Sequence, residues 1–187
     1  SEMCIRDRHP FGTQFRLDES TAAFSGFGGP KAMVESSEGG ANMLMGIGIN
    51  TGGYNYRAVG VKWMANADSY MNDVKFVGGH GGLWKPKPGV EEPRGRWNRP
   101  ARISSPDNPV AASGMDLAWD NQYWSLWVTN NGGGTFKDIW TASTYATNGF
   151  YANNTSTPGR IYAMSIEHHV RNEVRFSKVS NLSLIHI

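Results

Sequence analysis

The chain has almost no cysteine, little charge and no long apolar run. Its 187 residues contain one cysteine, Cys4, so the chain cannot form an internal disulfide. The net charge is only +2, which is too small and too dispersed to predict a nucleic-acid partner. The apolar stretches are a few residues long, whereas a membrane-spanning helix needs about 20. These shortages argue against a disulfide scaffold, a basic nucleic-acid-binding domain and a membrane span.

The two ends of the sequence resemble translated adapter DNA. Residues 3–8 (MCIRDR) and residues 182–187 (LSLIHI) back-translate to the two strands of one segment, which resembles the transposon end used in sequencing libraries. Ser1 and Glu2 fit the same adapter. We therefore expect residues 1–8 and 182–187 not to be native, and residues 9–181 to be a partial domain of a longer protein.

Glycine, tryptophan and short alternating segments predict an all-β fold. The chain has 23 glycines and 7 tryptophans, and only 18% of its residues are charged. Apolar residues alternate with a period of two at 43–49, 59–63 and 74–77, and further strands are predicted from residue 125 onward. A proline-rich loop at about 82–112 interrupts the pattern, and a loop of this length is typically functional or disordered.

A short phrase recurs along the predicted strands. It is centred on Val74, Ile139 and Val174. We interpret the step from 74 to 139 as two periods of a stacked repeat and the step from 139 to 174 as one period, with chance recurrence in a β-sandwich as the alternative. Asp73 and Asp138 occupy equivalent places in the phrase, which favours a structural role for both.

The segment from Tyr162 to Phe176 alternates strictly, with a bend expected near 168–171. One parity, which includes His168 and Phe176, is predicted to face the core. The other parity is predicted to face solvent, and its members are Glu167, His169, Arg171, Glu173 and Arg175.

Residues 42–81 (NMLMGIGINTGGYNYRAVGVKWMANADSYMNDVKFVGGHG) and residues 116–181 resemble a known superfamily. The second stretch includes DLAWDNQYWSLWVTNNGGGTFKDIW and TSTPGRIYAMSIEHHVRNEVRFSKVSN, and EHHVRNE is its most specific part. Both are similar to bacterial pectate-lyase-like, right-handed β-helix proteins. The most similar subgroup is glycosyl-hydrolase-28-related and overlaps with laminarinase-like proteins of glycoside hydrolase family 55. The resemblance implies a right-handed parallel β-helix that acts on polysaccharide and is secreted or periplasmic.

The superfamily includes hydrolases, lyases, epimerases and non-catalytic proteins, so the fold does not determine the chemistry. For a glycoside hydrolase, which needs two carboxyl groups, we expect Glu167 to be the acid and Asp116 or Asp120 its partner. The rings of Trp119, Tyr123 and Trp124 are then candidates for stacking on sugars. The alternatives are a surface ladder of charges around Glu167 and a capped turn with packed aromatics around the aspartates.

Two other functions remain open. A polysaccharide lyase would use His169 as the base and Arg171 to neutralise a uronate carboxylate, and His80 lies in a glycine cluster that could approach a ligand. A non-catalytic glycan-binding or adhesion module would use none of these groups for chemistry. The adjacent His168 and His169 do not have zinc-site spacing, so no cofactor is expected, with calcium left open.

Overall fold

The computed structural model describes residues 13–18, 21–25, 28–52, 55–78, 122–144, 146–167, 169 and 172–185. These residues form twelve β-strands and no helix. The strands are β1 (Gln14–Arg16), β2 (Lys31–Glu35), β3 (Met43–Asn50), β4 (Ala58–Trp63), β5 (Tyr70–Gly78), β6 (Gln122–Val128), β7 (Gly134–Thr144), β8 (Ala146–Thr155), β9 (Gly159–Tyr162), β10 (Ser165–Ile166), β11 (Asn172–Val179) and β12 (Leu182–Ile185).

Successive strands alternate between two parallel sheets. The first sheet has the order β1-β3-β5-β7-β9-β12, with β10 paired to β7, and the second has the order β11-β8-β6-β4-β2. Every pairing between described strands is parallel, so the chain returns to the same sheet one layer further on in each coil. The prediction of an all-β parallel β-helix is confirmed. Across the described ranges, no helix has the length and hydrophobicity that crossing a membrane requires.

The coil length differs from the predicted repeat. Met43 pairs with Tyr70 and Gly134 pairs with Gly159, so a regular coil takes roughly 25 residues, a length typical of solenoid repeats. Val74 pairs directly with Ile139, so these two residues lie in adjacent layers. The sequence between them is therefore one coil lengthened by an insertion. The interpretation of this step as two periods was therefore wrong.

The third occurrence of the phrase belongs to a different stack. Val174 lies in β11 and pairs with Phe150 in the second sheet, whereas Val74 and Ile139 lie in the first sheet. The apparent step from Ile139 to Val174 therefore does not measure a coil, because it runs from one sheet to the other.

One stack of residues in the first sheet has left-handed backbone angles. Gly46, Asp73, Asp138 and Ala163 have φ values of 62°, 52°, 50° and 50°. Each occupies the same position in its layer, as the pairing of the flanking residues shows. This conformation suits glycine and is tolerated by aspartate, but it strains alanine. The equivalent aspartates thus bend the strand, and each also forms an ion pair with a nearby lysine.

Replacing the strained alanine of this stack is expected to stabilise the protein. Ala163→Gly should raise the free energy of unfolding by about 0.5–1 kcal/mol, because relief of strain exceeds the added entropy of the unfolded chain. Gly46→Ala should lower it by about 1 kcal/mol, since nothing lies near enough to Gly46 for a steric effect. Urea unfolding of both variants checks the pair, and equal midpoints would contradict the prediction.

Two apolar core clusters lie among the described residues, and the smaller one contains Tyr56, Val59, Tyr123, Trp124 and Tyr151. The larger one fills the interior between the two sheets. Its side chains come from several strands of each sheet. Their contacts therefore join neighbouring layers as well as the two sheets. The buried members of the larger cluster are Ile49, Val61, Trp63, Ala65, Met71, Val74, Phe76, Leu126, Val128, Phe136, Ile139, Phe150, Ala152 and Ile161.

Candidate functional site

The structure describes four of the predicted site residues. Glu167, His169, Tyr123 and Trp124 have described positions. The other predicted site residues lie outside the described residues, and their roles stay predictions: His80, Asp116, Trp119, Asp120 and Arg171.

The two described aromatic candidates are buried. Tyr123 is fully buried and its hydroxyl donates to the Gly28 carbonyl at 2.8 Å. The Trp124 ring packs against the rings of Trp127 and Tyr151, with centroids 4.7 Å away in each case. Both rings therefore have packing roles here, and sugar stacking by either stays a prediction.

Glu167 lies at the corner where the chain leaves the first sheet for the second. It follows β10, and its backbone N–H donates to the Thr141 hydroxyl at 3.1 Å. Its exposed carboxylate accepts a hydrogen bond from the Trp140 indole N–H at 3.0 Å. The neighbouring layer thus supplies two contacts that fix both the backbone and the carboxylate of Glu167.

The His169 side chain is buried, contrary to its predicted solvent-facing parity. It is 0% exposed. Nε2 lies 3.2 Å from the Ser125 hydroxyl oxygen, and Nδ1 lies 2.7 Å from a Glu173 carboxylate oxygen. The parity argument failed because the strand does not continue through this segment: β10 belongs to the first sheet and β11 to the second. The chain changes sheet between Ile166 and Asn172, and residues 168, 170 and 171 of the predicted bend lie outside the described residues.

A glycine in β8 makes room for this corner. A methyl group at Gly149 would lie 2.7 Å from His169 Cε1 and 2.9 Å from the Glu173 carbonyl oxygen, and would also overlap Ile166. Side chains and backbone from both sides of the corner therefore converge at one position without a Cβ. The absence of a side chain there is a requirement of packing.

Glu173 joins the corner to an open cavity. Its side chain is 49% exposed, and one carboxylate oxygen lies 2.7 Å from His169 Nδ1. The residue also lines a cavity of about 290 Å³ whose other walls are mostly apolar, formed by Ala163, Met164, Ile166, Val174, Leu184 and Ile185. Leu184 and Ile185 belong to the predicted adapter-derived segment. Glu167 and Glu173 are the two exposed carboxylates of the corner.

A column of polar and aromatic side chains crosses the second sheet. Glu35, Lys62, Trp127, Tyr151 and Arg175 pair in register through five successive strands. The Lys62 ammonium lies 5.4 Å from the Trp127 ring centroid, and the Arg175 guanidinium lies 4.9 Å from that of Tyr151. These cation–π contacts link adjacent layers along the solenoid axis.

Sequence reasoning missed Ser125 and Trp140 as parts of the site. The usable signal was the coil length, because Trp140 and Glu167 are about one coil apart and Thr141 pairs directly with Ile166. With that step known, Trp140 and Glu167 would have been placed in adjacent layers. Ser125 carried no such signal, since its contact with His169 depends on the turn between the sheets.

The described part of the chain contains no group of three or more histidine, cysteine, aspartate or glutamate residues able to hold a metal ion. The expectation of no cofactor, with calcium left open, stays untested.

Comparisons with known proteins give no family assignment. No protein-family model matches the chain, and no curated protein or solved structure matches it significantly. Membership of the pectate-lyase-like superfamily therefore stays a prediction, and what is established is the coarser statement: the chain folds as a parallel β-solenoid.

Proposed function

We propose that this solenoid belongs to a glycoside hydrolase that cleaves a polysaccharide, with Glu167 as the general acid. The observation that carries the proposal is the pair of exposed carboxylates, Glu167 and Glu173, at one corner. The Trp140 indole N–H donates to the Glu167 carboxylate, and Nδ1 of His169 lies 2.7 Å from a Glu173 carboxylate oxygen.

The chemistry requires this kind of arrangement. Glycoside hydrolysis needs one carboxylic acid to protonate the leaving oxygen and one carboxylate to act as base or nucleophile. Glu173 is the second carboxylate that the described residues offer. It therefore replaces Asp116 and Asp120 as our first choice, and both aspartates remain candidates. The half-buried Trp140 ring beside Glu167 is suited to contact with a sugar face.

The same contacts favour hydrolysis over a lyase reaction. A lyase base must have a free lone pair directed at the substrate proton. Both ring nitrogens of His169 already contact protein groups, Ser125 on one side and Glu173 on the other. His169 is thus better suited to orienting Glu173 than to removing a proton from a uronate.

The proposal is tested by Glu167→Gln, which keeps the side chain's shape and its acceptor for Trp140 but removes the acid. We expect the rate of cleavage to fall by about 10²–10⁴-fold, with substrate binding nearly unchanged. Glu173→Gln is expected to have a similar effect. Cleavage is measured as new reducing ends on a panel of β-glucans and uronate polymers, together with ultraviolet absorbance of unsaturated uronate.

The matched control is Glu38→Gln, at an exposed carboxylate that follows β2 and lies outside the corner and outside the column of the second sheet. It should keep wild-type activity. Full activity of Glu167→Gln would exclude the proposed acid, and a rise in ultraviolet absorbance with the reducing ends would indicate a lyase. If Asp116→Asn or Asp120→Asn abolishes cleavage and Glu173→Gln does not, the second carboxylate is the aspartate.

A glycan-binding module is the second candidate, and the partly exposed members of the column, Lys62, Trp127 and Arg175, favour it. Strands in a sheet are about 4.8 Å apart, so the column repeats along the axis at roughly the length of one sugar residue. Retained binding to one polymer, with no cleavage of any polymer by the wild-type protein, would select this function.

A further inference from the structure

We propose that Ser125 and His169 form a buried relay that positions the carboxylate of Glu173. This inference rests on the proposed function, because it assigns a purpose to the orientation of the second carboxylate. Ser125 and His169 are positioning residues in this proposal, since neither side chain reaches the surface.

The relay consists of two hydrogen bonds in series. The Ser125 hydroxyl lies 3.2 Å from Nε2 of His169, and Nδ1 of His169 lies 2.7 Å from Oε2 of Glu173. One proton arrangement satisfies both contacts with a neutral ring: the hydroxyl donates to Nε2, and the Nδ1–H donates to the carboxylate. The carboxylate can only accept and therefore requires the Nδ1–H tautomer, and the Ser125 hydroxyl, which can donate or accept, supports this tautomer by donating to Nε2.

Burial makes the relay rigid. Ser125 is 3% exposed and the His169 side chain is 0% exposed, and Gly149 packs directly against the ring. An exposed glutamate otherwise samples several rotamers, and fixing one of them costs up to about 2 kcal/mol of side-chain entropy. A ring held on two sides restricts the carboxylate before substrate arrives, which is the function of supporting groups in catalytic sites.

The relay contains the same residue types as a serine nucleophile with its base and orienting acid. In the relay, however, the acid is exposed to solvent and the serine is buried. A nucleophilic serine must reach the substrate while its acid is shielded. Here the serine is 3% exposed and the Glu173 side chain is 49% exposed. Glu173 is therefore the residue of the relay that can contact a substrate.

The test combines spectroscopy of the free protein with kinetics. In ¹⁵N spectra of the imidazole rings, assigned by loss of signal in His169→Asn, we expect His169 to be the Nδ1–H tautomer with a proton that exchanges slowly with water. Ser125→Ala should move the His169 signals and the Glu173 carboxyl ¹³C resonance. Ser125→Thr, which keeps the hydroxyl, should restore both.

In the kinetic measurement, Ser125→Ala should lower kcat about 10-fold and His169→Asn about 100-fold, with KM nearly unchanged and the pH profile shifted in both variants. Ser125→Thr should recover most of kcat. A structural role alone would lower the urea midpoint and leave kcat and the pH profile of the folded fraction unchanged, which would overturn the proposal.

The two proposals fail separately. A His169 ring in the Nε2–H tautomer, or a Glu173 resonance unaffected by Ser125→Ala, overturns the relay whether or not the protein cleaves a polymer. Absence of cleavage by the wild-type protein, with the expected spectra, leaves the relay standing and overturns the proposed hydrolase.

Discussion

Phe136→Ala is expected to lower the free energy of unfolding by about 3–5 kcal/mol. Phe136 lies in β7 and is 0% exposed. Its ring makes edge contacts with Trp63 and Phe150 of the second sheet, at centroid distances of 6.2 and 5.9 Å. Truncation would therefore remove the contacts of one ring with both partners and leave a cavity between the sheets. The loss is a large share of the roughly 5–15 kcal/mol typical of a folded domain, and is measured by urea unfolding.

Phe176→Ala provides the matched control. The Phe176 ring also makes an edge contact with Phe150, at 6.0 Å, but its residue is 47% exposed. We expect a loss of about 1 kcal/mol, because a half-exposed ring buries less area and leaves no enclosed cavity. Equal losses for the two variants would show that the interior between the sheets is not the main source of stability.

Gly149→Ala is expected to cost about 3 kcal/mol and to disrupt the corner that holds Glu167 and Glu173. The added methyl group would approach the Glu173 carbonyl oxygen at 2.9 Å, and backbone moves less easily than a side-chain end. It would also displace the His169 ring. The rate of cleavage should therefore fall even without urea, where most molecules are folded. Overpacking of this size typically costs about 1–3 kcal/mol.

The control for this change is Gly29→Ala, at a glycine that has no left-handed backbone angle and no atom close to where a methyl group would lie. Its free energy of unfolding should stay within about 0.5 kcal/mol of wild type. Wild-type stability and activity in Gly149→Ala would mean that the corner can relax, and that the position of His169 is not fixed by packing.

Local pattern predicted the strands well and their stacking poorly. The alternating segments around Ile47, Val61 and Val74 are all strands, because period two is a property of the extended backbone itself. The repeat length was predicted wrongly because Val74 and Ile139 lie in adjacent layers although they are far apart in sequence. The extra residues belong to the connection between β5 and β6. A spacing in sequence does not reveal how much of it is coil and how much is insertion.

The candidate site shows the same limit at the level of side chains. Glu167 was predicted from its residue type and neighbours, and the structure adds Trp140 as its partner. His169 was assigned to the wrong face, because the turn into the second sheet resets the alternation. Ser125 was not a candidate, since its contact with the distant His169 is created by the fold and leaves no local pattern.

The long step between layers has an evolutionary consequence. Val74 pairs with Ile139 in one sheet and Val59 pairs with Trp124 in the other, so both sheets accommodate the same long step without a change of partner order. Lengthening a connection costs only about 0.6 kcal/mol for each doubling of a flexible loop. A solenoid of this kind can therefore gain, lose or exchange a segment at this point while its layers stay aligned.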